Sequence, residues 1–290
     1  MHRFVDRYGM RLGARRFVAG ETAEEFLRAA RTANDGGFAV AGGILGEAVT
    51  NPAEAGDAAS QYCALLQAFA ERRIDANVAF KPTHVGLGVD PELAFENALA
   101  IAKTALATGN TVRLDMEQSS VVDATLALYR RLRSRFDNVG FALQSYLFRS
   151  ASDLDAILRV RPNVRIVKGA YLEAASVAYQ KKSDVDANYL RLAEVALSGE
   201  GYTAIATHDA ALIAWVESFA ARKGLPKRDR FEFQMLYGIA TPLAQRLIDR
   251  GYRIRLAIPF GRNWFPYLMR RLAERPANLA FFLKGAFARG

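Results

Sequence analysis

Eight short apolar runs punctuate the chain, and each is followed by a longer stretch with helical spacing. The runs are residues 38–41, 76–80, 111–115, 139–144, 164–168, 202–207, 231–235 and 252–258, with starts 21 to 38 residues apart. That interval holds a strand, a crossover helix and two loops. Eight such units predict a closed (β/α)8 barrel of the TIM type. An open doubly wound sheet is the alternative. Against it, no GxGxxG follows the first strand, and Gly42, Gly43 and Gly46 have the wrong spacing. No linker rich in proline, glycine and serine divides residues 1–290, so one domain is expected.

The intervening segments read as helices over 21–33, 54–73, 91–107, a stretch capped by Ser119 or Ser120, 152–160, 174–197, 209–223 and a stretch from Pro242 to near Gly251. Asp90 precedes Pro91 and Thr241 precedes Pro242, the pairing of a side-chain cap with proline at the first helical position. A helical segment thus precedes the first strand. A last helix carrying Tyr267, Arg270 and Arg271 follows the eighth, with Asn263 as its candidate cap.

Composition narrows the function classes. Hydrophobic residues make up 51% of 290 positions and charged residues 24%, which excludes a disordered chain. A single cysteine, Cys63, excludes a disulfide scaffold and a thiolate zinc cluster. His2, His84 and His208 form no HExxH or other close pair, so no metal site is expected. The net charge of +9 suits solubility or anionic partners. The basic stretch 222–230 reads as a solvated connection, and no zinc-finger spacing or basic repeat supports nucleic-acid binding. The N-terminus lacks a secretory core, and no run of about 18 apolar residues exists. A cytoplasmic protein is expected, and the charge together with residues 279–287 permits peripheral contact at the inner face of the cell membrane.

A barrel places its chemistry at the C-terminal ends of its strands. Those ends carry Lys81, Asp115, Gln144, Lys168, His208 and Gln234, far apart in sequence and convergent if the barrel closes. Lys81, Arg165 and Lys168 can neutralise an anion, Asp115 can pair with Lys81, and Gln144 offers a donor and an acceptor to a planar heterocycle. In the tail, the Arg270 or Arg271 fork suits a carboxylate.

These residues stand in motifs that resemble the proline dehydrogenase family in its short, monofunctional bacterial form. The motifs are Leu45-Gly46-Glu47, Lys81-Pro82, Arg113-Leu114-Asp115-Met116-Glu117, Leu143-Gln144-Ser145-Tyr146, Val167-Lys168-Gly169-Ala170-Tyr171, Thr207-His208-Asp209, Phe231-Glu232-Phe233-Gln234-Met235-Leu236-Tyr237-Gly238 and Tyr267-Leu268-Met269-Arg270-Arg271. They span roughly 38–280 in one order. The resemblance implies a distorted barrel with noncovalent FAD, oxidation of L-proline to 1-pyrroline-5-carboxylate by hydride transfer from C5 to flavin N5, and reoxidation by a quinone. It implies a substrate-side pair of Lys81 and Asp115, a ring pocket of Tyr171 and Tyr267, and a carboxylate clamp of Arg270 and Arg271. Glu47 would close the site by pairing with a tail arginine. Gln144, Arg165, Lys168, Gly169, Ala170, Thr207, His208 and Gln234 match flavin-side positions. The second oxidation would fall to a separate pyrroline-5-carboxylate dehydrogenase.

One position departs from the family. Ala257 stands where a tyrosine often precedes the proline of the last strand-end motif by two residues, and a hydroxyproline-preferring branch has a small residue there. Hydroxy-L-proline is therefore a second candidate substrate, unless Phe260 or Trp264 fills the gap. A Schiff-base lyase using Lys168 and a noncatalytic amino-acid-binding protein are the competing readings.

Overall fold

The apolar runs become eight parallel strands whose edges meet, with β1 paired to both β2 and β8. The computed structural model describes residues 14–274. The strands are β1 Ala39–Ile44, β2 Ala76–Phe80, β3 Val112–Leu114, β4 Val139–Gln144, β5 Asn163–Val167, β6 Tyr202–Ala206, β7 Phe231–Leu236 and β8 Ile254–Phe260. The helices are α1 Ala23–Asp35, α2 Pro52–Glu71, α3 Pro91–Ala107, α4 Val122–Arg133, α5 Ser150–Asp155, α6 Lys182–Ser198, α7 Ala210–Arg222, α8 Thr241–Asp249 and α9 Trp264–Glu274. Neighbouring strands pair in sequence order around the ring, so the chain folds as a (β/α)8 barrel.

Alternation along the strands sorts two environments. In β4 the Phe141 ring lies 4.5 Å from Tyr129 of α4, so it points outward to the helices. Gly140, Ala142 and Gln144 therefore point inward. The outer layer is the apolar core, with Phe26, Phe69, Phe80, Phe141, Phe231 and Phe233 all buried. The barrel interior is polar instead. Arg113, Glu232 and Arg255 are 2%, 1% and 8% exposed, and the Arg255 Nε donates to Glu232 Oε1 at 2.8 Å. Small residues make room for these long side chains. Gly140 pairs with both Arg113 and Asn163, which lets Arg113 Nη2 reach Asn163 Oδ1 at 2.6 Å.

The barrel is distorted at its seam. Phe26 of α1 stacks on Phe260 of β8 at 4.7 Å and lies 5.9 Å from Phe69. A Cβ on Gly42 of β1 would approach the Phe26 ring to 2.8 Å. Thus α1 covers the outside of β8 and β1, where the helix after the last strand would normally pack. The last helix, α9, is released to cross the rim. A second small core of Ala14, Phe17, Val18, Ile239, Trp264 and Leu268 holds it there, and Trp264 Nε1 donates to Glu21 Oε1 at 3.1 Å.

Several helix ends differ from the sequence expectations. The first helix starts at Ala23, where Thr22 and Glu25 form a capping box. Asp90 caps as expected, whereas Asp209, expected as the first residue of its helix, caps α7 from just outside it. Ser119 does not cap α4; its N–H and hydroxyl both bond the Glu173 carboxylate at 2.6 Å. The helix expected from Ala174 begins only at Lys182. Residues 174–181 instead run back along the loop after β4, with Phe148 N donating to Val177 O and Tyr179 N to Tyr146 O. Thr241 lies inside α8, whose cap position is Ala240 in the left-handed region at φ 53°. Among the described residues no helix is long and apolar enough to cross a membrane. Residues 279–287 lie outside the described residues.

Candidate functional site

At the rim, three charged groups from three distant segments meet. Glu47 lies in the loop after β1, Lys81 directly after β2, and Arg270 on α9. Lys81 Nζ donates to Glu47 Oε2, and Arg270 Nη1 lies 3.5 Å from Glu47 Oε1. Burial works against the charge on Glu47, but the Lys81 and Arg270 charges outweigh it and hold its carboxyl below the usual range. The Glu47 loop owes its path to His84, because a Cβ on Gly46 would lie 2.3 Å from His84 Nε2. Burial, reinforced by Lys81, pulls His84 down to about 4, so a neutral ring packs there at pH 7.

The expected Lys81–Asp115 pair is not formed. Lys81 turns to Glu47, and Asp115 accepts from Arg165 Nη2. The register explains it. Leu114 pairs with Phe141, so Asp115 comes level with Ala142, which pairs with Arg165 on the far side. The small Ala142 lets the guanidinium cross to Asp115. Tyr171 lies near both groups. Burial raises its phenol, as do the carboxylates of Glu117, Glu47 and Asp115, while Arg270 acts in the opposite direction. On α9, Tyr267 is half-buried and Arg271 is buried, with the guanidinium 5.2 Å from the Tyr267 ring centroid.

The positions expected to face a flavin lie in or just after β4 to β7. Gln144 closes β4 and donates from Nε2 to Glu117 O at 2.8 Å. Lys168 Nζ contacts Asp186 at 2.5 Å and Asp209 at 3.2 Å. Gly169 has φ 121°, and a Cβ there would meet the Tyr146 ring at 2.4 Å, so Lys168-Gly169-Ala170 turns tightly beneath the half-buried Tyr171. Thr207 Oγ1 accepts from Asp209 N at 3.1 Å. His208 Nε2 accepts from Leu236 N at 2.9 Å, which fixes its ring across the β6 and β7 tips. Gln234 is deeper, donating to Glu232 Oε1 at 2.6 Å.

This set fits a planar, anionic cofactor. Arg165 Nε and Gln234 Oε1 are buried without a hydrogen-bond partner, a donor and an acceptor left unsatisfied. Cationic Arg165 and Lys168, an amide and an imidazole around one rim match a heterocycle with a phosphate tail.

Two groups were missed from sequence. Glu117 stands in a quoted motif, but its buried carboxylate bonds Thr83, which sequence gave no reason to single out. The Arg113–Glu232–Arg255 cluster was hidden because one charge per strand reads as noise. The available signal was a shared parity: each lies at an inward position of its strand.

The sequence matches the family profile described as Proline dehydrogenase over residues 26–284. It is 43% identical to a proline dehydrogenase of Deinococcus radiodurans, across 94% of this chain and 89% of that protein. It is 40% identical to Proline dehydrogenase 1 of Bacillus subtilis strain 168, across 98% of this chain and 93% of that protein. Among solved structures, proline utilization A from Bdellovibrio bacteriovorus, inactivated by N-propargylglycine, superposes with a TM-score of 0.85 at 28% identity. That match covers 96% of this chain, which spans about a third of that longer protein, 34% of its length.

Proposed function

This chain belongs to the proline dehydrogenase family, and from that premise we propose that it oxidises L-proline to 1-pyrroline-5-carboxylate with FAD. The observation that carries the reading is the meeting of Lys81 and Arg270 on the single Glu47 carboxylate at the mouth of the barrel. A lysine and an arginine sharing one carboxylate mark a place built for a second one, that of the substrate.

The chain's own groups then have distinct tasks. Arg270 and Arg271 hold the substrate carboxylate, and Lys81 adds charge on the opposite side. These cations also disfavour the protonated amine, which must lose its positive charge before the neighbouring carbon is oxidised. Tyr171 and Tyr267 flank the ring. Glu47 ties α9 to the loop after β1 and excludes water. Gln144, Arg165, Lys168, Thr207 and His208, with the Gly169-Ala170 turn and Gln234 beneath, would hold FAD. When bound, the flavin supplies a two-electron acceptor for hydride from proline C5. Arg165, kept in place by Asp115, favours negative charge on the reduced ring. A quinone as the final acceptor completes the proposal, and access to it requires a lipid surface or a carrier. The Schiff-base reading for Lys168 predicts an imine trapped by borohydride and no yellow cofactor.

The purified protein is expected to absorb near 450 nm and to bleach on addition of proline. A colourless protein that stays inactive after FAD is supplied would end this reading.

A second substrate is favoured by Ala257. Phe260 is stacked on Phe26, and Trp264 sits in the small core with its Nε1 on Glu21. Both rings are committed elsewhere, which supports space beside Ala257 for a ring hydroxyl. Ala257→Tyr is expected to shift kcat/KM toward proline over trans-4-hydroxy-L-proline by about tenfold or more, the range for one substituent in a pocket. A parent enzyme that already prefers proline as strongly as the variant would remove the hydroxyproline reading.

A further inference from the structure

Thr83 lies two residues after Lys81 and reaches the loop that carries Glu47. Its hydroxyl accepts from Ala48 N at 3.0 Å and donates to Glu117 Oε2 at 2.6 Å. Its own N–H donates to Glu117 Oε1 at 3.0 Å, and its carbonyl accepts from Val49 N at 3.3 Å. Both residues that follow Glu47 are thus bonded to one threonine. That threonine is fixed in turn by a carboxylate that is 2% exposed. The Glu117 carbonyl accepts from Gln144, so the same residue also touches the flavin-side tip of β4.

The loop needs such an anchor. Ala48 sits at φ 52°, a left-handed conformation that alanine adopts with strain. The bond from its N–H to Thr83 is made in that conformation. On the other side, Lys81 runs into Pro82 and the buried turn Pro82–Val85. The two halves of the Lys81–Glu47 ion pair therefore leave the same anchor in opposite directions.

We propose that Thr83 and Glu117 are positioning residues that hold the Glu47 loop where its carboxylate meets Lys81 and Arg270. Neither residue is expected to touch substrate; they act on substrate affinity through Glu47. This rests on the carboxylate-site reading above.

The test compares Thr83→Val, which keeps the shape and removes the hydroxyl, with Thr83→Ser, which keeps the hydroxyl. Kinetics are measured on the FAD-loaded enzyme with proline. Binding of cyclopentanecarboxylate, a ring acid with no nitrogen to oxidise, is measured by calorimetry. Thr83→Val is expected to raise KM and the Kd of cyclopentanecarboxylate about three- to tenfold with kcat within about twofold, the scale of the one hydrogen bond, from Ala48 N, that the Glu47 loop loses. Thr83→Ser is expected to restore parent values. In a Glu47→Gln background, Thr83→Val is expected to add less than about twofold, because coupled residues do not act additively. If Thr83→Val fails to fold, Glu117→Gln gives the same comparison. Parent-like affinity in Thr83→Val, or its full effect repeated in the Glu47→Gln background, overturns the anchor. If Glu47→Gln alone binds as tightly as the parent, the site reading itself fails, and the anchor with it.

Discussion

Arg270→Met is expected to lower kcat/KM for proline about thirtyfold to several thousandfold, the cost of about 2–5 kcal/mol for truncating one partner of a charge pair that the bound substrate would desolvate. The substrate carboxylate would lose its two-point donor, and Glu47 would lose the tie that draws α9 over the barrel mouth. Both losses act on binding first, so KM is expected to rise more than kcat falls. Arg270→Lys keeps the charge but not the fork, and is expected to recover only part of the loss. Steady-state kinetics on the three proteins, with circular dichroism to verify folding, checks this. A variant within about threefold of the parent, under 1 kcal/mol, would show that Arg270 does not hold the carboxylate.

Glu232→Gln is expected to destabilise the fold by about 3–5 kcal/mol, because it leaves buried cations without their counter-charge. Glu232 is 1% exposed, accepts from Arg255 Nε and Gln234 Nε2, and lies 3.3 Å from Arg253 Nε. Arg113 completes the cluster, and burial followed by the Arg165 charge pulls it down to about 10. Arg253 also bonds the Asp75 carboxylate at 2.8 Å, whereas among the described residues the buried Arg255 bonds no carboxylate but Glu232. Urea unfolding at constant m-value reads the loss. Replacing the pair together, Glu232→Leu with Arg255→Met, is expected to recover most of it.

The same group sets an acid limit. Burial opposes the charge on Glu232, yet the Arg255 charge and hydrogen bond outweigh it and hold the carboxyl at about 2. A carboxyl depressed in the folded state stabilises most above its unfolded value, and that contribution fades as pH falls toward the folded one. Stability from Glu232 is therefore expected to be complete above about pH 5 and to be lost toward pH 2. Glu232→Gln is expected to flatten the acid limb of a stability–pH curve. An unchanged limb would assign acid unfolding to other carboxylates.

The strands were legible because their signal is local. Residues 76–80 and 139–144 were read with the boundaries they have, since apolar runs bounded by turn residues need no tertiary information. Asp90 was legible for the same reason: a cap bonds groups two or three positions away. Failures began where the partner was distant in sequence. Ser119 has the chemistry of a cap, but Glu173 claims it from 54 residues away. Residues 174–181 have helical composition, yet the loop after β4 offers their backbone better partners. Lys81 and Asp115 carry opposite charges on adjacent strand tips, and charge alone pairs them. Strand register and the small Ala142 between β3 and β5 give Asp115 to Arg165 instead.

The alternation of short apolar runs with amphipathic segments was enough to determine a closed eight-stranded barrel, and its strand-end polar residues were enough to locate the rim where chemistry belongs. Both follow from patterns within a few residues, which the backbone reads directly as strand, helix and cap. Tertiary structure alone decided which charges meet. Closing the ring sets the level of each side chain, small neighbours decide which long ones can cross, and α1 taking the seam frees α9 to bring Arg270 to Glu47. Those outcomes depend on distances between segments separated by up to 243 residues, and no local pattern encodes them.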